Sequence, residues 1–159
     1  MTWRGSTQPL DRFFACLPYL LPLLDGIQFS IPFFNQFPVL QPLLIPLLPL
    51  LQLYRGVPFI GLIIFFALFL LVVRNENISH FIRFNAMQAI LLDIVLILCS
   101  IITSLILQPA LGGGLFLETI YNVIFLGTAI VVIYSIVQCA LGRYAEIPTL
   151  SDAVHMQVR

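Results

Sequence analysis

The chain contains no lysine, and only 9% of its 159 residues are charged, whereas soluble domains carry roughly 25% charged residues. Its seven cations are all arginine and its net charge is zero, so it lacks the basic patch that nucleic acid requires. Nucleic-acid binding is therefore excluded. Most residues are apolar: 60% are hydrophobic, and the mean hydropathy is +1.06. This composition indicates an integral membrane protein surrounded by a lipid bilayer.

Residues for metal and catalytic chemistry are also scarce. Cys16, Cys99 and Cys139 lie far apart within apolar runs, and His80 and His155 each stand alone, so we expect no metal site. The sequence has no GxSxG, HExxH, P-loop or GxGxxG motif, and we expect no pair of carboxylates inside the membrane. We therefore expect neither a cofactor nor an enzyme.

Arginine placement decides how many apolar runs cross the membrane. Five runs occupy residues 13–30, 37–53, 57–73, 84–107 and 119–141. If the second run does not cross, one side of the membrane holds every arginine except Arg55, as the positive-inside rule favours; these are Arg4, Arg12, Arg74, Arg83, Arg143 and Arg159. We predict an all-α membrane protein with both termini cytoplasmic. Residues 1–159 form one domain with four transmembrane helices at about 13–30, 56–73, 84–107 and 119–141.

The second run, residues 37–53, contains four prolines. Each interior proline removes a helix hydrogen bond and clashes with the preceding turn, so a regular lipid-exposed helix is unfavourable there. Unsatisfied backbone at membrane depth must be covered by protein or line a cavity. We expect a non-spanning segment at the interface or packed against the bundle, with a kinked span as the alternative.

Two acids fall within the apolar runs. Asp93 would lie about 15 Å deep in its helix, where an ionisable group must face a bundle or a wet cavity; structural pairing and a functional role both fit. Asp25 precedes Gly26 near the end of the first span, and we interpret it as a helix terminus at the interface. Pro18 and Pro22 should kink that span.

Polar and small residues form one stripe on each of the last two spans. A helical wheel at 100° per residue groups them in the third span, and in the fourth they recur every seven residues. Two polar stripes imply two facing helices, which provide either helix–helix contacts or a hydrated path. The candidate residues are Asn85, Gln88, Asp93, Ser100, Thr103, Tyr121, Thr128, Ser135 and Gln138.

The loop RNENISHFIR, between the second and third predicted spans, concentrates charge on the arginine-rich side. It could dock a soluble partner, or it could only determine topology. The YAEIP segment near the C-terminus is the other candidate docking element. The candidate docking residues are Arg74, Glu76, Arg83, Tyr144, Glu146 and Pro148.

The order ACLPYLLPLLDG, PLLPLL, FFALFLLVVRN, FIRFNAMQAILLD and YAEIPTLSDAVHMQV resembles the twenty-kilodalton subunit family of the chloroplast inner envelope translocon (Tic complex). RFNAMQA, and YAEIP followed by SDA, are its most specific pieces. The resemblance implies a four-helix membrane protein with both termini in the stroma or cytoplasm. It also implies a translocon component that moves preproteins across the plastid inner envelope membrane and could line the channel.

The resemblance further implies other translocon membrane subunits and a preprotein in transit as partners, and further copies of the chain could complete a path. It carries over no ligand or catalytic residue. MTWRGSTQPLDRFF is too short for an organellar transit peptide, so we expect a plastid-encoded or cyanobacterial form. The alternative function is a non-transporting membrane scaffold or assembly protein in a cyanobacterial plasma membrane.

Overall fold

The computed structural model describes residues 8–158, and their regular structure is entirely helical, as predicted. Arg4 and Arg159, which entered the orientation argument, lie outside this range. The α-helices are α1 (Pro9–Cys16), α2 (Leu20–Gly26), α3 (Ile31–Gln36), α4 (Leu48–Gly56), α5 (Ile60–Ala67), α6 (His80–Ile102), α7 (Gln108–Leu111), α8 (Leu115–Ala140) and α9 (Leu150–Gln157). The chain forms 3₁₀ turns at Leu17–Tyr19, Ile27–Phe29 and Pro38–Leu47, and π turns at Leu68–Val73 and Thr103–Leu107.

Two helices within residues 8–158 are long and apolar enough to cross a bilayer. One is the continuous helix His80–Leu111, of 32 residues, and the other is α8, of 26 residues. The predicted third span, 84–107, falls inside the first of these helices, and the predicted fourth span, 119–141, ends one residue beyond α8. Pro38–Gly56 and Ile60–Val73 meet at 97° and would make a third span if they are counted as one. Length and hydropathy therefore support two or three spans in this part of the chain.

The N-terminal segment follows an irregular helical path because its prolines interrupt the α-helix. The turn Leu17–Tyr19 contains Pro18 and separates α1 from α2, and a second 3₁₀ turn follows at Ile27–Phe29. Proline lacks the N–H that a continuous α-helix would use and crowds the turn before it. The segment therefore consists of short helices, and none of them alone is long enough to span.

The Pro-rich segment is not an α-helix over its first half. Pro38–Leu47 is a 3₁₀ helix with Pro42 and Pro46 inside it, and α4 begins only at Leu48. A sharp bend then joins α4 to α5, with Phe59 at a left-handed φ of 59°. No residue between Pro38 and Gly56 is buried, so the segment lies on the outside of the bundle.

Helices α6 and α8 both pack mainly on the N-terminal segment. α6 contacts α1, α2 and α9, whereas α8 contacts α1, α2 and α3. We predicted that the two long helices face each other along their polar stripes; they touch through Cys139 and Asn85, and many of their other contacts are with α1 and α2. A helical wheel gives the direction of a stripe but does not identify the element that it meets, and here short α1 and α2 provide many of the contacts.

Gly26 sets the spacing between α2 and α8. A β-carbon at Gly26 would lie 2.9 Å from Cγ2 of Thr128, so we expect Gly26→Ala to overpack the contact and cost about 1–3 kcal/mol. Thr128→Ser removes that methyl group and keeps the hydroxyl, which donates to Ile124 O at 2.8 Å. Thermal unfolding in detergent should show a lower Tm for Gly26→Ala and recovery in the double variant.

Gly127→Ala is the matched control, because a β-carbon there meets nothing within 4 Å. It should not lower the Tm, and should raise it slightly, because alanine is the better helix former. If Thr128→Ser does not restore the Tm of Gly26→Ala, this methyl contact does not set the spacing of the two helices.

Candidate functional site

A buried polar network joins the N-terminal segment to α6 and α8. The Tyr19 hydroxyl donates to Asn85 Oδ1 at 2.8 Å and accepts from Gln88 Nε2 at 3.0 Å. All three side chains are fully buried. Asn85 Oδ1 also accepts from Cys139 Sγ at 3.1 Å, and Asn85 Nδ2 donates to Phe81 O at 2.8 Å. Since a buried polar group needs a protein partner, these bonds fix the register of three helical segments.

The same network holds the C-terminal segment on α6. Gln88 Nε2 donates to Ala145 O at 3.2 Å, and Gln88 Oε1 accepts from Ser151 Oγ at 2.8 Å. Ser151 Oγ accepts from Ile147 N at 2.7 Å. The motifs RFNAMQA and YAEIP…SDA therefore bind each other through buried hydrogen bonds. Sequence reasoning missed Tyr19 and Ser151, although both lie inside the motifs that carried the resemblance.

Tyr144 contributes to packing at the start of α6. Its hydroxyl lies 2.9 Å from His80 Nδ1, and its ring meets the rings of Phe81 and Phe84 edge-on, with centroids 5.2 and 5.0 Å apart. Glu146 and Pro148, by contrast, are exposed. Of the three predicted docking residues in the tail, these two remain accessible from outside.

The charged loop meets the C-terminal segment at one end of the bundle. Arg83 Nε donates to Val73 O at 2.9 Å, and the Arg74 guanidinium lies 6.0 Å from the centroid of the Phe69 ring. Arg74, Arg83 and exposed Glu76 line a cavity of about 370 Å³. The cavity also reaches Gln157 in α9. The two predicted docking elements therefore lie side by side.

Two stripe residues bond within their own helices, and a third bonds to the N-terminal segment. Thr103 Oγ1 donates to Cys99 O at 2.8 Å, within its own helix, as Thr128 does. Ser100 Oγ donates to Gln28 Oε1 at 3.2 Å, at an exposed position. Hydroxyl groups that return to their own backbone serve helix packing, so these positions do not form a continuous polar surface.

The residues of the polar stripe on α8 also differ in their burial and partners. Ser135 is fully buried and Gln138 is half-buried. The Tyr121 hydroxyl accepts from Gln108 Nε2 at 2.7 Å, and its ring packs edge-on against Phe29 at 5.4 Å. The structure brings together Asn85 and Gln88 of the predicted set, and leaves Tyr121 and Gln138 apart from them.

A second polar feature is a cavity of about 400 Å³ lined by Asp25, Tyr54 and Asp93. The Tyr54 hydroxyl, on α4, donates to Asp25 Oδ1 at 2.7 Å. Asp93 is 1% exposed, and its Oδ1 has no hydrogen-bond partner within residues 8–158. The remaining lining is apolar apart from Gly61. The cavity therefore combines two carboxyl groups and one phenol hydroxyl with an otherwise apolar lining.

Asp25 and Asp93 correct one expectation. Helix α2 ends at Gly26, as the position of Asp25 before Gly26 indicated, although the chain continues as a 3₁₀ turn and Asp25 is half-buried. The expected absence of a pair of carboxyl groups is wrong, because Asp25 and Asp93 line one cavity. They lie far apart in the sequence, so no local pattern reveals the pair.

Like charges at close range in a low-dielectric site repel each other, and a buried carboxylate needs a compensating partner. No arginine of residues 8–158 forms an ion pair with either acid; the ion pair found there joins His155 Nε2 to Glu146 Oε1 at 4.0 Å. Asp93 is therefore a buried acceptor without a counter-charge among the described residues, and an acid of this kind in a membrane helix is a candidate functional residue.

Together, these features define an all-helical membrane protein whose N- and C-terminal segments are both fastened to one long helix. Residues 7–154 match the family model described as "Chloroplast import apparatus Tic20-like". The chain therefore belongs to the Tic20 family, which confirms the resemblance.

Similar proteins occur in cyanobacteria, plants and algae. A "Tic20 family protein" of Synechocystis sp. is 55% identical over 100% of this chain and 99% of its own length. "Protein TIC 20-II, chloroplastic" of Arabidopsis thaliana is 35% identical over 99% of this chain and 78% of its own length. "Tic20 family protein Ycf60" of Gracilaria tenuistipitata var. liui is 36% identical over 94% of this chain and 76% of its own length.

Ser151→Ala should release the C-terminal segment from α6. The change leaves Gln88 Oε1 and the Ile147 amide without their Ser151 partner, which costs about 1–3 kcal/mol. Trypsin cleavage after exposed Arg143 should therefore accelerate by roughly tenfold for each 1.4 kcal/mol lost. Cleavage after exposed Arg74 provides an internal reference.

Met156→Ala is the control for this measurement, since Met156 lies on the same helix and is 75% exposed. It should leave both cleavage rates unchanged. Equal cleavage after Arg143 in wild type and Ser151→Ala would show that the Ser151 hydroxyl does not hold the tail.

Proposed function

We propose that this chain is a core membrane subunit of a protein translocon, contributing to preprotein movement across a plastid inner envelope membrane. The observation that carries the proposal is family membership over residues 7–154. Chloroplastic relatives that match 96–99% of the chain add support. Its proposed partners are other membrane subunits, the moving preprotein, the lipid bilayer and further copies of the chain, which complete the path.

In this proposal the chain crosses the membrane four times, with both termini in the stroma or cytoplasm. The helical path through residues 9–29 has a length of roughly 30 Å at 1.5 Å per residue, which matches the hydrocarbon core. The Pro-rich segment lies on the outside of the helix bundle and does not cross the membrane. This arrangement puts Arg12, Arg74, Arg83 and Arg143 on one side of the membrane, in accord with the positive-inside rule.

The proposed polar path runs along the cavity lined by Asp25, Tyr54 and Asp93, called here the acidic cavity. It does not follow the whole length of the polar stripes on α6 and α8. Asn85 and Gln88 are occupied by internal hydrogen bonds, so they serve assembly. Of the predicted stripe residues, Asp93 lines the cavity, together with Asp25. Four short helices cannot enclose a polypeptide alone, so other subunits or copies complete the wall.

Crosslinking of an arrested preprotein tests this path. Single cysteines replace Leu62 and Ile97, which line the cavity, in a background with the native cysteines replaced. Both positions should crosslink to the preprotein, because the moving chain passes the cavity. Cysteines at Val123 and Ile130, each 66% exposed on α8, are the lipid-facing controls. Crosslinks confined to the α8 positions would contradict the path.

A second candidate function is a non-transporting scaffold in a cyanobacterial plasma membrane. The full-length match to the Synechocystis protein favours it, as does the internal use of most stripe residues. On this account partners bind the exposed end formed by the loop and tail.

Substitutions at the exposed end formed by the loop and tail distinguish the two proposed functions. Glu76→Ala with Glu146→Ala, both at exposed positions, should remove co-purifying subunits if the scaffold account holds, because their charges form part of the docking end. Asp93→Asn should then leave activity unchanged. Native purification in mild detergent followed by mass spectrometry measures the first result. Loss of transport in Asp93→Asn with all partners retained would contradict the scaffold.

A further inference from the structure

The acidic cavity has the form of a binding site and not of a packing defect. Its volume of about 400 Å³ falls within the usual range for small-ligand sites, roughly 300–1,000 Å³. One wall comes from α6, through Asp93 and Ile97, and another from α5, through Leu62 and Phe65. Asp93 lies at the buried end, since it is 1% exposed, whereas Leu62 is 54% exposed.

Hydrogen bonding in the cavity is complete for Asp25 Oδ1 and absent for Asp93 Oδ1. Tyr54 donates its only hydroxyl proton to Asp25, which leaves Asp93 Oδ1 without a donor among the described residues. Gly61 makes this arrangement possible, because a β-carbon there would collide with the Tyr54 hydroxyl. The fold therefore holds Tyr54 on Asp25, and Asp93 lines the same cavity with no donor to its Oδ1 among the described residues.

The chemistry of the lining selects the class of ligand. Two carboxyl groups disfavour an anion, and a purely apolar molecule would leave Asp93 Oδ1 unsatisfied. A calcium or magnesium ion needs about six or more oxygen ligands, and no group of three or more His, Cys, Asp or Glu side chains within residues 8–158 could hold a metal. A cation that carries N–H donors on an apolar stem satisfies the acids and the walls together.

We propose that this cavity binds a guanidinium or ammonium group carried on an apolar stem, with Asp93 as its principal acceptor. The stem lies between Leu62 and Ile97, and the cationic head donates to Asp93 at the buried end. The assignment of this binding site depends only on the residues that line the cavity, and not on the translocation function. Under the proposed translocation function, which this source assignment assumes, the head belongs to an arginine or lysine side chain of the moving polypeptide.

The test uses the purified full-length chain in lipid nanodiscs with n-butylguanidinium as the probe. N-butylurea is the matched neutral compound, since it has the same shape and no charge. Isothermal titration calorimetry, corrected for partition into empty nanodiscs, should show at least tenfold tighter binding of butylguanidinium. Equal binding of the two compounds would overturn the proposal.

Two variants localise the probe. Asp93→Asn should weaken butylguanidinium binding at least tenfold, whereas Glu118→Gln removes an exposed acid on α8 and should change nothing. Ile97→Trp fills the cavity from a position that is 42% exposed, and should block binding while the Tm stays near that of wild type. Equal affinity in Asp93→Asn and Glu118→Gln would overturn the assignment.

The source of the cation is tested separately from the site. The crosslink from a cysteine at Leu62 is compared for an arrested preprotein and for one in which arginine and lysine are replaced by glutamine. A severalfold loss supports the moving chain as the source. An unchanged yield overturns that source and leaves the butylguanidinium result standing, so failure of the translocation proposal and failure of the site can be distinguished.

Discussion

The rest of this structure depends on two hydrogen bonds, which join the Tyr19 hydroxyl to the side-chain amides of Asn85 and Gln88 in α6. A bilayer offers no water to satisfy buried polar groups, so Asn85 and Gln88 must find partners inside the protein. Tyr19 provides one for each, and the same two amides also bond to Cys139 in α8 and to Ala145 and Ser151 in the C-terminal segment. The first and last parts of the chain thereby become fixed to the same central helix, although the N-terminal segment is broken by prolines.

The structure separates polar groups that build the bundle from polar groups that remain available. The Tyr19 network is closed and buried, and each of its amides is paired. The acidic cavity differs because the Pro-rich segment places Tyr54 on Asp25 and leaves Asp93 Oδ1 without a donor. The sharp bend after Gly56 joins α4 to α5, where Gly61 leaves room for the Tyr54 hydroxyl. The Pro-rich segment therefore contributes to the site as well as to the topology.

The sequence predicted the class of protein, the long apolar helices, the irregular Pro-rich segment and the family, because each depends on a local pattern. It did not predict which elements touch. The wheel grouped Asn85 with Asp93, yet the first is occupied by Tyr19 and the second faces a cavity. Asp25 and Asp93 meet only because α2 packs on α6. Long-range contacts of this kind leave no periodicity in either segment.

Amide hydrogen exchange of Tyr19→Phe tests the central claim most directly, because this variant removes one oxygen and leaves the ring in place. If Tyr19 couples the segments, exchange should accelerate together in α1, in the first turns of α6 and in residues 144–158, while the middle of α8 stays protected. Acceleration limited to the residues around position 19 would contradict the account, because the tail would then be held independently of the N-terminal segment.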